Sequence, residues 1–256
     1  MTIHDDLLGL GRRLGERDRD LVLLAEGNIS ARLEGEGMLI KASGCSMAAM
    51  VDADLLTVDR SVLLSLVGSD SVTDEMTAQV YRESVVAPTG STRMPSVEAI
   101  LHAVIYAHTE AKVVAHTHPT AINSILCSVS PDLLVRGALF PDQIVVLGRR
   151  QLLVPYADPG VPLARAVGEA VRGFIAEEGR APRVIYLVNH GLFVLAASTD
   201  EAGQITDMAV KAARILIGTL AAGGPHYLSD ENMDRIDRRP DEHYRRAVLS
   251  QEAGGN

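Results

Sequence analysis

Two histidines that lie two positions apart are the strongest chemical signal in the sequence. His116 and His118 stand at the end of the segment KVVAHTH, which we predict to be a strand that Pro119 ends. Because alternate residues of a strand face the same side, both imidazoles can converge on one point. Imidazole binds zinc, cobalt, iron, nickel and copper ions. The pair therefore predicts a metal site at a strand end; the alternative is two histidines that share a solvated face.

A third histidine strengthens the metal prediction. His190 follows the apolar run VIYLVN and precedes Gly191, so it also stands at a predicted strand end, where the glycine permits a sharp turn. Three histidines at strand ends match a catalytic zinc site, which has three protein ligands and one open position. Taken alone, His190 is better explained as a hydrogen-bonded core residue.

Glu98 is the candidate acid/base. It lies near the start of a helix that we predict from Pro95 to about His108, with Ser96 as its cap. A carboxylate beside a metal-held substrate takes or returns a carbon-bound proton. In the alternative, Glu98 only complements the positive end of the helix. His102 lies four residues further on the same helical face, and we favour a core or supporting role for it over that of a further ligand.

Two turns of small residues lie near predicted strands, at Gly27-Asn28 and at Ser43-Gly44. Such turns expose backbone N–H groups that can hold an anion. Neither has the pattern of a P-loop or of a dinucleotide-binding fingerprint. On the residues alone, each is a plain loop.

The elements that must position these residues are helices and strands that alternate along the chain. Besides the helix at Pro95, helical spacing predicts helices over residues 3–18, 161–178 and 199–222. Short apolar runs predict strands over residues 37–42 and 112–118, and strand pairs over 143–148 with 151–156 and over 184–189 with 192–197. Helices at both ends with strands between them indicate α/β layers around one core. We predict a single domain over residues 1–256, with a charged, helical tail from about residue 226.

The composition excludes several classes of protein. Acidic residues outnumber basic ones by 33 to 24, which gives a formal net charge of −9, whereas a nucleic-acid-binding protein usually has a basic surface. No apolar stretch reaches the length of about 20 residues that a membrane span needs, and the N-terminus has no secretory signal. The two cysteines, Cys45 and Cys127, are expected to be reduced thiols. We therefore expect a cytoplasmic protein that binds a small molecule and neither nucleic acid nor membrane.

Taken together, these motifs resemble the class II aldolase/adducin family. The similarity rests on five segments in the family's order, between residues 5 and 225: Glu26-Gly27-Asn28-Ile29-Ser30, Ala42-Ser43-Gly44, Pro95-Ser96-Val97-Glu98 with His102, His116-Thr117-His118-Pro119, and Asn189-His190-Gly191. The resemblance implies an α/β fold, a three-layer α/β/α sandwich around a mostly antiparallel central sheet. It also implies self-association, commonly as a homotetramer with active sites at subunit boundaries.

The same resemblance assigns roles to individual residues. It implies that His116, His118 and His190 hold a divalent metal ion and that Glu98 is the acid/base. We expect zinc first, with manganese, cobalt or magnesium as alternatives. Family members hold the substrate phosphate at the positions of four further residues, Asn28, Ser43, Gly44 and Ser96.

Two departures from the family pattern bear on the substrate. Ala25 and Val97 stand where the aldolase has hydroxyl residues. Because a hydrogen bond to a charged group is worth about 1.5–3 kcal/mol, the loss of two weakens a phosphate site and leaves a carboxylate or a neutral group as alternatives. The tyrosine proton donor of the aldolase has no clear match, and Asp142, Tyr227 and Tyr244 are the candidates.

The leading hypothesis is a metal-dependent carbon–carbon lyase that cleaves a hydroxy-ketone, a sugar phosphate or a hydroxy-keto acid through a metal-stabilised enediolate or enolate. Decarboxylation of a keto or aromatic acid and 4-epimerisation of a sugar phosphate use the same type of intermediate, so the sequence does not separate the three. A Schiff-base aldolase needs a buried lysine, and Lys41 is the only lysine near a motif. A non-catalytic scaffold like the adducin head is ranked last, because the three histidines and the glutamate are all present.

Overall fold

A central sheet of eight strands organises the part of the chain that the computed structural model describes, residues 2–69 and 71–239. The strands are β1 (Asn28–Arg32), β2 (Gly37–Lys41), β3 (Leu55–Asp59), β4 (Val85–Ala87), β5 (Val113–Thr117), β6 (Leu152–Val154), β7 (Val184–Leu187) and β8 (Gly191–Ala196). Their order across the sheet is β4-β3-β2-β1-β5-β8-β7-β6. Neighbouring strands are antiparallel, except that β6 and β7 are parallel.

Helices cover both faces of this sheet. Within the described residues they are α1 (Ile3–Leu14), α2 (Arg60–Leu64), α3 (Asp74–Glu83), α4 (Ala99–His108), α5 (Thr120–Leu126), α6 (Pro141–Leu147), α7 (Val161–Glu178), α8 (Thr199–Ala221) and α9 (Asp230–Asp237). Helices α1, α5 and α8 pack on one face, and α2, α4 and α7 pack on the other.

The alternation of side chains along the strands creates two separate cores. In β5, Val113 and Ala115 pack with α1, α5 and α8, whereas Val114 packs with α4 and α7. Because successive strand residues point to opposite faces, a sheet with apolar residues at nearly every position must be covered on both sides. This arrangement confirms the predicted α/β/α sandwich around a mostly antiparallel sheet.

One predicted strand is wrong. The segment 143–148 lies in helix α6, and the following β6 pairs with β7 rather than with that segment. Pro141 starts the helix at a position where its missing N–H costs nothing, and Gly148, with φ +84°, ends it. A short apolar run does not distinguish a buried strand from a buried helix. Ile144 and Val145 of α6 are buried against Met233 and Ile236 of α9.

The ends of the chain refine two other predictions. Helix α1 stops at Leu14, and a separate 3₁₀ helix follows at Arg17–Arg19. Helix α9 lies within the charged tail predicted from about residue 226. Residues 240–256, including the candidate proton donor Tyr244, lie outside the described residues. Among the described residues no helix combines the length and the apolar character that a membrane crossing requires.

Candidate metal centre

Three neighbouring strands bring the predicted ligands to one end of the sheet. Asn28 on β1 lies opposite His116 on β5, and His116 lies opposite Phe193 on β8. His118 directly follows β5, and His190 directly precedes β8. Because β5 and β8 are antiparallel, the end of one strand lies beside the start of the other. Histidines far apart in the sequence therefore meet at a single point.

Gly191 is the residue that lets the two histidine segments approach so closely. A Cβ at this position would lie 2.6 Å from Cδ2 of His118 and 2.7 Å from the carbonyl oxygen of Thr117. The preceding turn is held by Asn123, whose Nδ2 donates to the carbonyl oxygen of His190 at 2.9 Å. The glycine thus has a steric role at the site, besides the sharp turn expected from the sequence.

Four side chains converge at this end of the sheet: those of Glu98, His116, His118 and His190. One ligand atom from each lies within 4.8 Å of every other. Nε2 of His116 and Nε2 of His118 are 2.8 Å apart. Glu98 closes the group, with Oε1 2.9 Å from Nε2 of His190 and Oε2 3.2 Å from Nε2 of His116. This donor set could hold a divalent metal ion.

The hydrogen bonding of His116 shows that the donor set fits a metal ion. Its Nδ1 donates to the carbonyl oxygen of Leu192 at 2.9 Å, and its fully buried ring stacks on Phe193. This bond fixes the ring so that Nε2 points towards His118 and Glu98. Two imidazole nitrogens that face each other at hydrogen-bond distance need a proton or a cation between them. A backbone carbonyl that fixes the ring in this way is typical of a metal-binding histidine.

The protonation states of the group also suit a cation. Burial alone raises the pKa of the Glu98 carboxyl, but His116 and His190 outweigh burial and hold that pKa well below its usual range. Burial, together with His116 and His190, lowers the pKa of His118 to about 3. Glu98 is thus a carboxylate and His118 a neutral imidazole at neutral pH, as metal binding requires.

The predicted start of the helix that carries Glu98 is wrong. Helix α4 begins at Ala99, with Glu98 as its N-cap residue. The segment before it is extended and pairs with the end of β2: Pro95 forms a bridge with Ala42, and the N–H of Ser96 donates to the carbonyl oxygen of Lys41 at 3.0 Å. Long-range backbone pairing therefore overrides the local helix signal.

This pairing gathers most of the predicted substrate-binding residues at the end of β2. The N–H of Ser43 donates to the carbonyl oxygen of Met94 at 2.8 Å, which holds Ser43 and Gly44 beside Ser96. Gly44 adopts φ +77°, a conformation that favours glycine. Ser96 is buried, and its Oγ accepts from the N–H of Glu98 at 3.3 Å.

Asn28, the fourth predicted substrate-binding residue, contacts Glu98 directly. Its Nδ2 donates to Glu98 Oε2 at 2.7 Å, and its Oδ1 accepts from Nε2 of His102. Nδ1 of His102 lies 2.7 Å from Oγ of Ser30, so both ring nitrogens of His102 are engaged. Burial, with a smaller effect of His116, lowers the pKa of His102 to about 3. His102 is therefore a neutral, supporting residue, the role favoured for it from the sequence.

Lys41 has a more prominent place than the sequence indicated. It is only 1% exposed, and burial lowers the pKa of its ammonium group. Nζ lies 3.3 Å from the carbonyl oxygen of Ala25 and 3.4 Å from that of Ala42, between the two predicted anion-binding turns. The signal in the sequence was its position directly before Ala42-Ser43-Gly44.

Glu26 is a residue near the centre that the sequence reasoning gave no separate role. Its Oε2 lies 3.7 Å from Nδ1 of His118, on the ring edge away from His116. The two candidates for the proton donor that the structure describes, Tyr227 and Asp142, contact residues other than those of the candidate metal centre. Tyr227 donates to the carbonyl oxygen of Leu133 at 2.8 Å, and Asp142 is in the first turn of α6, beside Lys211 of α8.

Comparison with known proteins decides the family. The family described as Class II Aldolase and Adducin N-terminal domain matches residues 5–217. The chain belongs to this family. The match extends from helix α1 into helix α8 and includes every ligand of the candidate metal centre.

Individual relatives agree with this assignment. The N-terminal class II aldolase domain of a Thermoplasma acidophilum protein is 25% identical, with a TM-score of 0.66 over 84% of this chain and 94% of that domain. An L-fuculose 1-phosphate aldolase structure is 21% identical, with a TM-score of 0.69 over 92% of this chain and 94% of that one, and shows the shared fold.

A curated relative is the uncharacterized oxidoreductase YuxG of Bacillus subtilis (strain 168), which is 27% identical over 174 residues. The aligned region is 68% of this chain, but it spans only 22% of the length of YuxG. The name of YuxG therefore describes a much longer protein than the region that is similar to this chain.

Proposed function

We propose that the protein is a divalent-metal-dependent carbon–carbon lyase of the aldolase type. It cleaves a hydroxy-ketone, a sugar phosphate or a hydroxy-keto acid next to a carbonyl group. The observation that carries the proposal is the convergence of one carboxylate and three imidazoles within 4.8 Å at the end of the sheet. Membership of the class II aldolase family agrees with it.

His116, His118 and His190 would hold the ion. Three imidazole ligands favour zinc, with manganese, cobalt or magnesium as alternatives. When bound, such an ion acts as a Lewis acid that stabilises negative charge on an oxygen of the substrate. The carbonyl oxygen of Leu192 fixes the tautomer of His116 and so keeps its Nε2 free to coordinate.

Glu98 would move the proton. Its Oε2 is held by Asn28, so the other oxygen, Oε1, is the atom that exchanges a proton with the substrate. In the structure Oε1 faces His190, and binding of His190 to a metal ion would release it. A carboxylate placed in this way typically contributes a factor of about 10²–10⁴ to the rate.

The substrate would carry an anionic group at the end of β2. Lys41 supplies a buried positive charge there, and the turn at Ser43-Gly44 together with Ser96 supplies polar groups. We expect Lys41→Met to raise the KM for an anionic substrate at least about tenfold, the effect of losing one good charged contact. The exposed Lys211, changed to methionine, is the matched control. An unchanged KM in Lys41→Met would contradict this role.

Decarboxylation of a keto or aromatic acid is the second candidate reaction. The resemblance supports it, because Ala25 and Val97 stand where the aldolase has hydroxyl residues, and Val97 is 70% exposed. A site with fewer donors suits a singly charged carboxylate better than a phosphate.

Product analysis separates these reactions. The protein is loaded with zinc, cobalt or manganese and incubated with a panel of sugar phosphates, hydroxy-keto acids and aromatic carboxylates. Release of an aldehyde or ketone fragment that stops on chelation supports the proposed lyase, whereas release of carbon dioxide supports the decarboxylase. Activity that survives chelation, together with a substrate adduct that borohydride fixes on Lys41, would contradict both. The homotetramer that the resemblance implies stays a prediction, which sedimentation analysis of the same preparation tests.

A further inference from the structure

A chain of buried hydrogen bonds leads away from the metal centre along helix α4. It starts at Glu98, passes through Asn28, and continues to His102 and Ser30. Its last link joins Ser30 Oγ and the hydroxyl of Tyr106 at 2.9 Å. Asn28, Ser30, His102 and Tyr106 are all at most 2% exposed. The N-cap residue Glu98 and, within α4, His102 and Tyr106 recur at every fourth position, so they lie along one face of a mostly apolar helix.

With Glu98 as a carboxylate, the donors and acceptors fit in one direction along this series of hydrogen bonds. The ionised carboxylate of Glu98 can only accept, so the Asn28 amide donates to it and turns its Oδ1 towards His102. His102 Nε2 must then donate, which leaves Nδ1 as an acceptor. Ser30 donates to that nitrogen and therefore accepts from Tyr106. A reversal at any link would place two donors or two acceptors face to face.

The far end of the chain is itself fixed. The guanidinium group of Arg32 lies 4.9 Å from the centre of the Tyr106 ring, and that of Arg60 lies 5.7 Å from it. Arg32 also donates to the carbonyl oxygens of Tyr106 and Thr109 at 2.7 and 2.6 Å. The Tyr106 hydroxyl itself also lies 3.5 Å from the carbonyl oxygen of Lys112.

We propose that His102, Ser30 and Tyr106 are positioning residues that fix the orientation of the Asn28 amide, so that Asn28 holds Glu98 Oε2 and the proton is exchanged at Oε1. This inference rests on the proposed acid/base role of Glu98. Burying so many polar groups is favourable only when each has its partner. A fully satisfied network holds its members in one arrangement, and here that arrangement ends on the carboxylate that would move the proton.

The first test reads the direction of the chain in the metal-free protein and needs no substrate. Nitrogen-15 NMR of the histidine rings is expected to show His102 neutral, with its proton on Nε2. In Ser30→Ala, Nδ1 loses its donor, so the His102 signals are expected to shift and the Asn28 side-chain amide protons to exchange faster with water. A proton on Nδ1 of His102 in the wild type would overturn the proposal.

The second test separates positioning from a merely structural role. In the metal-loaded enzyme, Ser30→Ala and Tyr106→Phe are each expected to lower kcat about 3- to 10-fold, the effect of one lost hydrogen bond, with KM and metal content unchanged. The controls are Ser84→Ala and Tyr186→Phe, which make the same changes at buried residues that are not part of this series of hydrogen bonds. A lower Tm with unchanged kcat and unchanged His102 signals would overturn the proposal. If no substrate of the panel reacts with the wild type, the proposed function fails, while the NMR result still decides whether the chain orients Asn28.

Discussion

Replacing Glu98 by glutamine separates proton transfer from metal binding. In the structure, Glu98 Oε2 accepts from Asn28 at 2.7 Å and Oε1 lies 2.9 Å from Nε2 of His190. Glutamine keeps the shape of the side chain and one oxygen. With that oxygen towards Asn28, its amide nitrogen donates to His190. Because glutamine removes the charge that these hydrogen bonds stabilise, we expect the free energy of unfolding of the metal-free protein to fall by about 1.5–3 kcal/mol.

The effect on the reaction is expected to be larger. An amide cannot accept a proton, so the acid/base contribution of about 10²–10⁴ in rate is lost. This loss corresponds to about 3–5 kcal/mol of activation free energy. Because the three imidazoles remain, the bound metal per protomer is expected to be unchanged.

Three measurements on the same preparation decide this prediction: metal content by elemental analysis, Tm, and kcat on the best substrate of the panel. Glu178→Gln is the matched control, because Glu178 accepts from Arg150 on the surface at 2.9 Å. A Glu98→Gln enzyme within about threefold of wild-type turnover would refute the proton-transfer role, since general catalysis is worth much more. Parallel loss of metal and activity would instead make Glu98 a required ligand.

Three further predictions concern the metal ion, the pH and the turn at Gly191. A metal ion at about 100 times its Kd is expected to raise the free energy of unfolding by about 2.7 kcal/mol. We expect His116→Ala to abolish this stabilisation by the metal. A metal-loaded wild type that chelators do not destabilise would contradict the site. Burial lowers the pKa of His102 to about 3, against about 6.5 in an unfolded chain. As the pH falls between these values only the unfolded chain binds the proton, so the free energy of unfolding of the metal-free protein falls by up to about 1.4 kcal/mol per pH unit. Urea titrations should show a steeper fall for wild type than for His102→Gln, and equal slopes would speak against this reasoning. Gly191→Ala places a Cβ 2.6 Å from Cδ2 of His118. We expect it to lower the free energy of unfolding by about 1–3 kcal/mol and to weaken metal binding. Gly173→Ala, whose Cβ would have nothing within 4 Å, is the control, and equal stability and metal affinity of the two variants would disprove the steric role.

Much of the fold follows from local patterns. Helix α7 has the predicted bounds, and helix α8 ends one residue from the predicted position. These helices are long and amphipathic, so their spacing is unambiguous. The strand predicted over 143–148 is a helix, and its apolar residues pack against α9, more than eighty residues later in the chain. No local pattern contains that contact.

In the candidate site, too, local patterns predict some features and long-range contacts decide the others. His116 and His118 belong together on their spacing alone, because a strand presents alternate residues on one face. That His190 joins them depends on the antiparallel pairing of β5 with β8. Its place at a predicted strand end made His190 a candidate and the resemblance implied it as a ligand, but neither gave this pairing. The roles of Ser30 and Tyr106 were missed, although the polar residues at four-residue spacing in α4 were a visible signal.

The central claim is that three imidazoles hold one divalent ion, beside which a carboxylate exchanges a proton with the substrate. Crystals of the protein loaded with zinc or cobalt, measured at the absorption edge of the metal, test it most directly. We predict one anomalous peak per chain, about 2.0–2.1 Å from ring nitrogens of His116, His118 and His190. A peak elsewhere, or no peak at the end of β5 when the metal is in excess, would contradict the account.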